Sequence, residues 1–482
     1  MSSAPVILWL RCDLRLHDHP ALTAAAAMNG PVIPLYILDD GLAGRWAMGG
    51  ASRWWLHNSL RELDLALQAK GSRLVLRRGA TMETLETVAR ATGARALYWS
   101  RGYEPWSSKL EAAIHRRLEG AGVRCRRFSG QLLFEPEDIR TGNGDPYKVY
   151  TPFSRACFDA PDPGTPLPAP SALRPVPDDV ISDDLADWGL LPENPDWASG
   201  IAEAWIPGEA AARMRFNEFV EKGLSKYKER RDRPDLPGTS RMSPSLHFGE
   251  VSPRHCWHMA RARAGGRSKS AEGAMTFLRE LLWREFSWHL LFHWPHLPET
   301  PFRPEFSAFP WNENATDLEA WRKGRTGYPI VDAGMRELWT TGWMHNRVRM
   351  IVASFLVKHL LIPWQQGEAW FWDTLVDADL ANNAASWQWV AGSGADAAPY
   401  FRIFNPILQG KKFDPKGDYI RKWVPELAKL PSGALHAPFE AAPATLRKAK
   451  VALGETYPGP IVGHDLARRR ALEAYEVVKK RG

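Results

Sequence analysis

The chain has 482 residues, 44% of them hydrophobic and 24% charged, and its formal net charge at pH 7 is +7. This length predicts two or three domains, and the composition is typical of a globular protein. The sequence has no run of about 18 apolar residues, which argues against a membrane span. Its first residues lack the basic segment of a signal peptide, so we expect a cytoplasmic protein.

Short buried strands alternate with helices in the first part of the chain. Apolar runs typical of parallel strands lie at 6–10, 32–38, 73–76 and 96–99, and helical patterns lie at 20–28, 52–70, 81–92 and 107–119. This alternation predicts a doubly wound α/β domain over residues 1–130. The turn at 11–15 has no G-x-G-x-x-G pattern, so a Rossmann dinucleotide site is not predicted.

Residues 131–205 are predicted to connect two domains. The part from 161 to 205 contains nine prolines, nine acidic residues and one arginine, which leaves no room for long regular elements. Subtracting this segment of net −8 from the total of +7 leaves +15 on the remainder of the chain. A balance that basic indicates a polyanionic partner, with nucleic acid the first candidate and a merely soluble basic surface the alternative.

Residues 206–482 are predicted to form a larger all-α domain. Strand signals nearly disappear there, and helical patterns lie at 209–223, 275–292, 332–340, 344–361 and 367–375. Twelve of the 23 tryptophans fall between Trp283 and Trp389. A buried indole N–H needs a partner, so this many indoles indicates stacking or electron transfer for a few of them in addition to packing.

Three segments of this domain carry an unusual mixture of side chains. In a helix, Glu280, Trp283 and Arg284 share one face. Asn346, Arg349 and Met350 share a face of the second segment, and the third, 382–389, combines two asparagines with two indoles. A thioether beside a guanidinium and an amide suits a pocket for a flat ligand that is partly apolar and partly charged. In this order the three segments resemble the DNA photolyase and cryptochrome family of flavoproteins, and the resemblance covers nearly the whole chain.

The resemblance implies that the all-α domain binds FAD. Taken alone, the stretch 238–243 is either a phosphate-binding loop at the start of a helix or a simple N-cap, and in this context it resembles the family's pyrophosphate loop. Asn383 would stand at flavin N5, where an uncharged amide suits an anionic reduced flavin. The residues implied to bind FAD are Tyr227, Thr239, Ser240, Arg241, Met242, Ser243, Phe277, Arg349, Asp377, Ala378, Asp379 and Asn383.

A metal site is not predicted. Asp377 and Asp379 stand two residues apart, but nothing supplies further ligands in register. The four cysteines lie far apart, with no spacing typical of a metal centre. The resemblance instead pairs Asp377 with Arg349 beside the flavin and gives Asp379 a hydrogen bond from the flavin edge.

The resemblance also implies a substrate, which is damaged DNA. The residues that would line the cavity over the flavin and act on a flipped-out lesion are Glu280, Trp283, Asn346, Met350 and Trp389. Photolyases are themselves a standard example of enzymes that extrude a damaged base. Repair then needs no protein nucleophile, because light excites the reduced flavin and an electron passes to the dimer and back. The residues expected to bind DNA are Arg231, Arg284, Arg347 and Gln409.

Three tryptophans match the family's electron-transfer chain from flavin to surface: Trp387, Trp364 and Trp311. Any one of them alone is more often a core residue. The α/β domain of the family usually holds an antenna chromophore, here expected to be 5,10-methenyltetrahydrofolate, with a deazaflavin as the alternative. The segment 49–55 borders its expected pocket, although Trp106 and Ser107 stand where some members carry an acidic folate contact.

These features together predict a monomeric cyclobutane pyrimidine dimer photolyase, a carbon–carbon lyase. A cryptochrome-type blue-light photoreceptor is the main alternative. A (6–4) photolyase is disfavoured because that branch usually carries a histidine pair, whereas His345 stands alone and Met350 occupies the fifth position after it. A plain redox flavoprotein would need a nicotinamide site, for which no pattern is present.

Overall fold

A five-stranded parallel sheet forms the centre of the N-terminal domain. The computed structural model describes residues 4–266, 268–396 and 401–480. The strands lie in the order β3-β2-β1-β4-β5, and Val6 of β1 is opposite Val32 on one side and Ala96 on the other. Their bounds are β1 Val6–Leu10, β2 Val32–Leu38, β3 Val75–Arg78, β4 Ala96–Ser100 and β5 Arg124–Phe128. The predicted α/β class is confirmed.

Helices cover both faces of this sheet, because alternate residues of each strand point to opposite sides. Ile7 packs with Leu85 and Ile114 on one face, while Leu8 packs with Trp55 on the other. The helices of this domain are α1 Pro20–Ala26, α2 Gly50–Gln68, α3 Thr81–Thr92 and α4 Ser107–Gly120. They correspond to the four helices predicted from the sequence.

The connector lies along the α/β domain. The backbone N–H groups of Asp18 and Asp183 donate to the carbonyls of Leu167 and Leu76, each at 2.8 Å, and Leu173 N–H donates to Lys70 at the same distance. Its regular elements are α5 Tyr150–Asp159, a 3₁₀ turn at Ala186–Trp188 and α6 Ser199–Ala204. The boundaries at 130 and 205 stay a prediction.

The C-terminal domain is helical, as predicted. Within the described part of the chain, no strand longer than an isolated bridge follows β5. Two helices continue into π-helical turns, at Phe219–Gly223 and Phe355–His359, and 3₁₀ turns lie at Leu224–Lys226, Pro304–Ala308, Pro425–Leu427 and Pro438–Glu440. No described helix is long and apolar enough to cross a membrane.

The helices of this domain are α7 Glu209–Glu218, α8 Tyr227–Arg230, α9 Ser243–His247, α10 Pro253–Arg261, α11 Lys269–His293, α12 Ala315–Arg322, α13 Pro329–Thr341, α14 Asn346–Ser354, α15 Trp364–Thr374, α16 Leu380–Ala391, α17 Pro406–Phe413, α18 Asp418–Trp423, α19 Ser432–Leu435, α20 Pro443–Ala449 and α21 His464–Lys479. The longest, α11, packs against α5, α10 and α16. It therefore joins the connector to the centre of the helical domain.

The two domains meet at close backbone contacts. Leu14 N–H donates to the Phe248 carbonyl at 3.1 Å, and the Asp18 carboxylate accepts from Ser252 and Arg254. Gly249 has φ +66°, and a Cβ there would lie 2.6 Å from Asp13 Cα. Only glycine combines this dihedral with this approach. The contact fixes the segment after α9 against the turn that follows β1.

Candidate active site

A cavity of about 520 Å³ lies between α9, α11, α14, α15 and α16. It has the size of a cofactor site, and both apolar and polar side chains line it. Nineteen predicted site residues line it: Tyr227, Arg231, Ser240, Met242, Ser243, Phe277, Glu280, Trp283, Arg284, Asn346, Arg347, Arg349, Met350, Asp377, Ala378, Asp379, Asn383, Trp387 and Trp389. Five do not line it: Thr239, Arg241, Trp311, Trp364 and Gln409.

Arg241 lies behind the loop that was expected to hold pyrophosphate. Its guanidinium carbon lies 4.2 Å from the ring centroid of Trp205 and 4.9 Å from that of Trp343, and burial lowers its pKa. Trp343 in turn donates its indole N–H to Ser243 Oγ at 3.3 Å. Arg241 therefore braces the loop through two indoles, while Ser240, Met242 and Ser243 face the cavity.

An ion pair between the half-buried Arg349 and the buried Asp377 marks the inner wall. Arg349 Nη2 donates to Asp377 Oδ2 at 2.8 Å and Oδ1 at 3.0 Å, and its Nε donates to the Met344 carbonyl at 2.8 Å. Every acceptor is fixed, so the guanidinium plane is held rigidly beside the cavity. A planar, charged surface of this kind suits the edge of a flat heteroaromatic ring system.

Asp379 is the N-cap of α16, and its side chain accepts a hydrogen bond from the backbone N–H of Asn382 at 2.8 Å. Its Oδ2 lies 3.6 Å from Nδ1 of His247, a cavity residue that was not predicted. Burial raises the pKa of Asp379, but the hydrogen bond and charge of His247 outweigh it and the pKa falls below its usual range. His247 lies four residues after Ser243, so helical spacing from the loop could have identified it.

The amide of Asn383 is oriented by the backbone of α15. Its Nδ2 donates to the Glu368 carbonyl at 3.0 Å, which leaves the amide oxygen and a second N–H for a ligand. The Glu368 carboxyl is itself fully buried, and burial raises its pKa well above the usual value. Burial thus favours the neutral form of this carboxyl beside Asn383. No pattern in the sequence indicated this role.

The outer part of the cavity carries a stacked pair of rings. Trp283 lies face to face with Tyr150 of α5, with centroids 3.5 Å apart and planes 7° apart. Tyr150 donates its hydroxyl to the Arg279 carbonyl at 2.7 Å. One face of Trp283 is therefore covered and its rotation is blocked, which leaves its remaining surface for the cavity. Tyr150 was not predicted, because it is 133 positions before Trp283 in the chain.

Comparison with known proteins decides the family. A model described as "DNA photolyase" matches residues 6–171, and one described as "FAD binding domain of DNA photolyase" matches 277–477. A deoxyribodipyrimidine photo-lyase of Agrobacterium fabrum is 51% identical over 100% of this chain and 99% of its own length. The chain belongs to the DNA photolyase family. These matches confirm the predicted family, the photo-lyase enzyme class and the FAD cofactor.

Two further comparisons define its place among photolyases and cryptochromes. The crystal structure of a class III photolyase from Agrobacterium tumefaciens superimposes with a TM-score of 0.96 and 50% identity, covering 100% of this chain and 98% of that one. Cryptochrome-1 of Arabidopsis thaliana is 39% identical over 97% of this chain and 70% of its own length. The chain is thus similar to members of both functional branches.

The inner wall fits the FAD that this family binds. Arg349–Asp377 supplies a rigid charged edge, Asn383 a neutral amide, and the 240–243 loop a set of backbone and hydroxyl donors. Within the described residues, no group of three or more His, Cys, Asp or Glu side chains is placed to hold a metal ion.

Two of the three tryptophans predicted to transfer electrons lie on packed helices, Trp387 on α16 and Trp364 on α15. Trp387 of α16 is 2% exposed and its ring centroid lies 5.0 Å from that of Phe371. It lies against Gly367 of α15, where a Cβ would be 2.6 Å from Cζ2 of the indole. Trp364 begins the same helix one turn before Gly367. Asn312 N–H donates to the Leu361 carbonyl at 2.8 Å, which brings the half-exposed Trp311 beside the start of α15.

His345 takes no part in lining the cavity. It is the N-cap of α14, where Nδ1 accepts from Arg347 N–H at 3.2 Å, and burial lowers its pKa to about 4. The imidazole is therefore a neutral capping group.

The predicted DNA-binding arginines all have carboxylate partners. Arg231 donates to Glu280, and Arg347 Nη2 lies 2.9 Å from Asp232 Oδ1. Arg284 pairs with Glu285 at 2.9 Å and donates to the Gln131 carbonyl at the same distance, which ties it to the connector.

Near Trp389, a lysine amine is buried against an aromatic ring and a backbone carbonyl. Lys358 donates to the Arg402 carbonyl and its Nζ lies 4.5 Å from the Phe401 ring centroid. Burial lowers its pKa from 10.5 to about 7.

The expected antenna border at 49–55 packs against the helical domain. Gly50 N–H donates to Asp373 Oδ1 at 2.9 Å, and a Cβ on Gly49 would lie 2.5 Å from Asp373 Cα. The identity of the antenna stays a prediction.

Proposed function

We propose that this chain is a light-dependent repair enzyme that splits cyclobutane pyrimidine dimers in DNA. The observation that carries the proposal is the composition of one cavity. Its inner wall holds the Arg349–Asp377 pair and Asn383, and its outer part holds Trp283, Trp389 and Met350 around an acid. The close relative from Agrobacterium, named as a deoxyribodipyrimidine photo-lyase, supports the same activity.

The outer residues would hold two adjacent pyrimidines that have left the double helix. Trp283, kept in place by Tyr150, and Trp389 supply apolar surfaces for the rings, and Met350 fills the space beside them. Glu280 accepts a hydrogen bond from a pyrimidine N–H. Asn346 is exposed at the start of α14, where its amide reaches the open side of the cavity. Bound FAD supplies, on absorbing light, the electron that opens the dimer.

The dimer reaches this cavity by base flipping, which costs a few kcal/mol and is easiest for damaged bases. The basic residues at the open side bind the flanking phosphates. Arg231 and Arg347 are placed for this role, whereas Arg284 is held inward by Glu285. We further propose a monomer with a folate antenna, or a deazaflavin in its place.

A cryptochrome-type photoreceptor is the second candidate, favoured by the 39% identity to the Arabidopsis protein. The acid and the two indoles of the outer cavity favour repair instead. A (6–4) photolyase is disfavoured because His345 caps a helix outside the cavity.

The test uses the purified full chain with its flavin and an oligonucleotide carrying one cyclobutane thymine dimer. We expect restored thymines under blue light and none in darkness. The absence of repair in light from flavin-loaded protein refutes the proposal. Repair of a (6–4) lesion with none of the dimer transfers the chain to that branch.

A further inference from the structure

One ion pair spans the open side of the cavity. Arg231 follows α8, and its Nη1 donates to Oε1 of Glu280 on α11. Both side chains line the cavity, and they are 26% and 27% exposed. Burial raises the pKa of Glu280 and the charge of Arg231 opposes that rise. Each group is therefore the main charge partner of the other.

Arg347, the second predicted phosphate ligand, is paired differently. Its carboxylate partner Asp232, which also lies 4.0 Å from Nε of Arg231, is 40% exposed and does not line the cavity. The guanidinium lies 4.5 Å from the ring centroid of Phe413. A molecule in the cavity can replace the partner of Arg231, but it does not reach the partner of Arg347.

We propose that the Arg231–Glu280 pair couples phosphate binding by Arg231 to the presence of a flipped base in the cavity. While no base is present, Glu280 holds Arg231 and competes with phosphate for it. A flipped pyrimidine donates its ring N–H to Glu280, and Arg231 is released to a phosphate. This inference rests on the proposed function, because it assumes that a base enters beside Glu280.

The coupling would sharpen discrimination between damaged and undamaged DNA. A carboxylate and a phosphate cannot both take the full charge of one guanidinium, so undamaged DNA gains little from Arg231. Damaged DNA gains a base contact and a phosphate contact together. Removing the charge of Glu280 should therefore strengthen binding to undamaged DNA, although a lesion-contacting residue has been changed.

The experiment measures binding of flavin-loaded protein to an undamaged duplex by fluorescence anisotropy, in darkness and over a salt series. We compare E280Q with E229Q, since Glu229 of α8 is exposed and its loss raises the net charge equally. We expect E280Q to bind about threefold to tenfold more tightly than E229Q, with a salt slope steeper by about one unit. Equal affinities for the two variants overturn the proposal.

A double-mutant cycle tests the coupling independently. On undamaged DNA, R231A should cost more affinity in the E280Q background than in the wild-type background, because only there does Arg231 contact phosphate. Equal costs overturn the coupling. Far-ultraviolet circular dichroism and flavin content verify folding, and E280A replaces E280Q if the glutamine variant loses flavin. The readout is undamaged DNA, so its outcome is separate from whether dimers are repaired.

Discussion

Gly367 controls the position of the indole that lies deepest in the proposed electron-transfer chain. In G367A the new Cβ would lie 2.6 Å from Cζ2 and Cζ3 of Trp387 and closer still to Cη2. Ordinary carbon–carbon contact is about 3.5–4.0 Å, so the indole or α15 must move by more than about 1 Å. Phe371 and Trp321 lie against the same indole, with centroids 5.0 Å and 6.2 Å away, and they restrict that movement.

The expected change in the free energy of unfolding of G367A is the balance of two opposing effects. Replacing glycine by an alanine that fits the helix without strain stabilises the folded protein by about 0.4–1 kcal/mol, because the unfolded chain loses conformational freedom. Overpacking of a filled core costs about 1–3 kcal/mol. We therefore expect G367A to lower the free energy of unfolding by about 1–2 kcal/mol. The matched control is G120A in α4, where a Cβ meets nothing within 4 Å, and it should be neutral or stabilising.

The assay has two readouts. Thermal unfolding compares G367A with G120A, and blue-light reduction of the bound flavin by an external thiol reports the displaced indole. We expect both the Tm and the photoreduction rate to fall in G367A alone. If G367A is as stable as G120A and its photoreduction rate is unchanged, then α15 can shift without a loss of stability and the packing argument is wrong.

Three further predictions concern the chain from Trp387 to the surface, the outer cavity and the buried lysine. W311F and W364F should each block photoreduction yet leave repair by chemically reduced protein intact; parallel loss of both activities in a folded variant would contradict the assignment. W283A should lose roughly 1–3 kcal/mol of binding to dimer-containing DNA and little on undamaged DNA, as filter binding on both DNAs would reveal. The pKa of Lys358 is about 7 in the folded protein and 10.5 in the unfolded chain, so the unfolded chain binds more protons between these values and the free energy of unfolding should rise with pH across that window, by about 5 kcal/mol in all. K358M should therefore have a higher Tm than the wild type at pH 7, and this difference should shrink towards pH 10. A Tm difference that does not change with pH would refute the predicted direction.

The elements predicted best are those whose hydrophobic pattern is regular. Strands 6–10 and 32–38 and the helix at 81–92 were predicted with their observed bounds. β5 was missed because it is an edge strand in which Cys125 is the one buried residue. The start of α11 was predicted six residues late, although Ser268 caps it by accepting from Ala271 N–H. That capping signal was present in the sequence.

Helical spacing, together with the resemblance to the family, identified most cavity residues but not the partners of Trp283 and Asn383. Tyr150 and Glu368 lie on other helices than the residues they hold, so only the tertiary fold brings them to Trp283 and Asn383. α16 was not predicted as a helix because its asparagines and serine have weak helix propensity, and packing against α11 and α15 compensates. The pairing of Arg231 with Glu280 likewise needed the structure.

The connector has a consequence for synthesis on the ribosome. Its residues near 167, 173 and 183 form hydrogen bonds with the α/β domain. When synthesis has reached only residue 160, that domain therefore still lacks these hydrogen bonds and the connector that packs against it. The contact between Gly249 and the turn after β1 forms later still. Contacts between such distant residues slow folding and extend the exposure of incomplete surfaces. We expect the nascent α/β domain to engage chaperones until about 90 further residues have emerged.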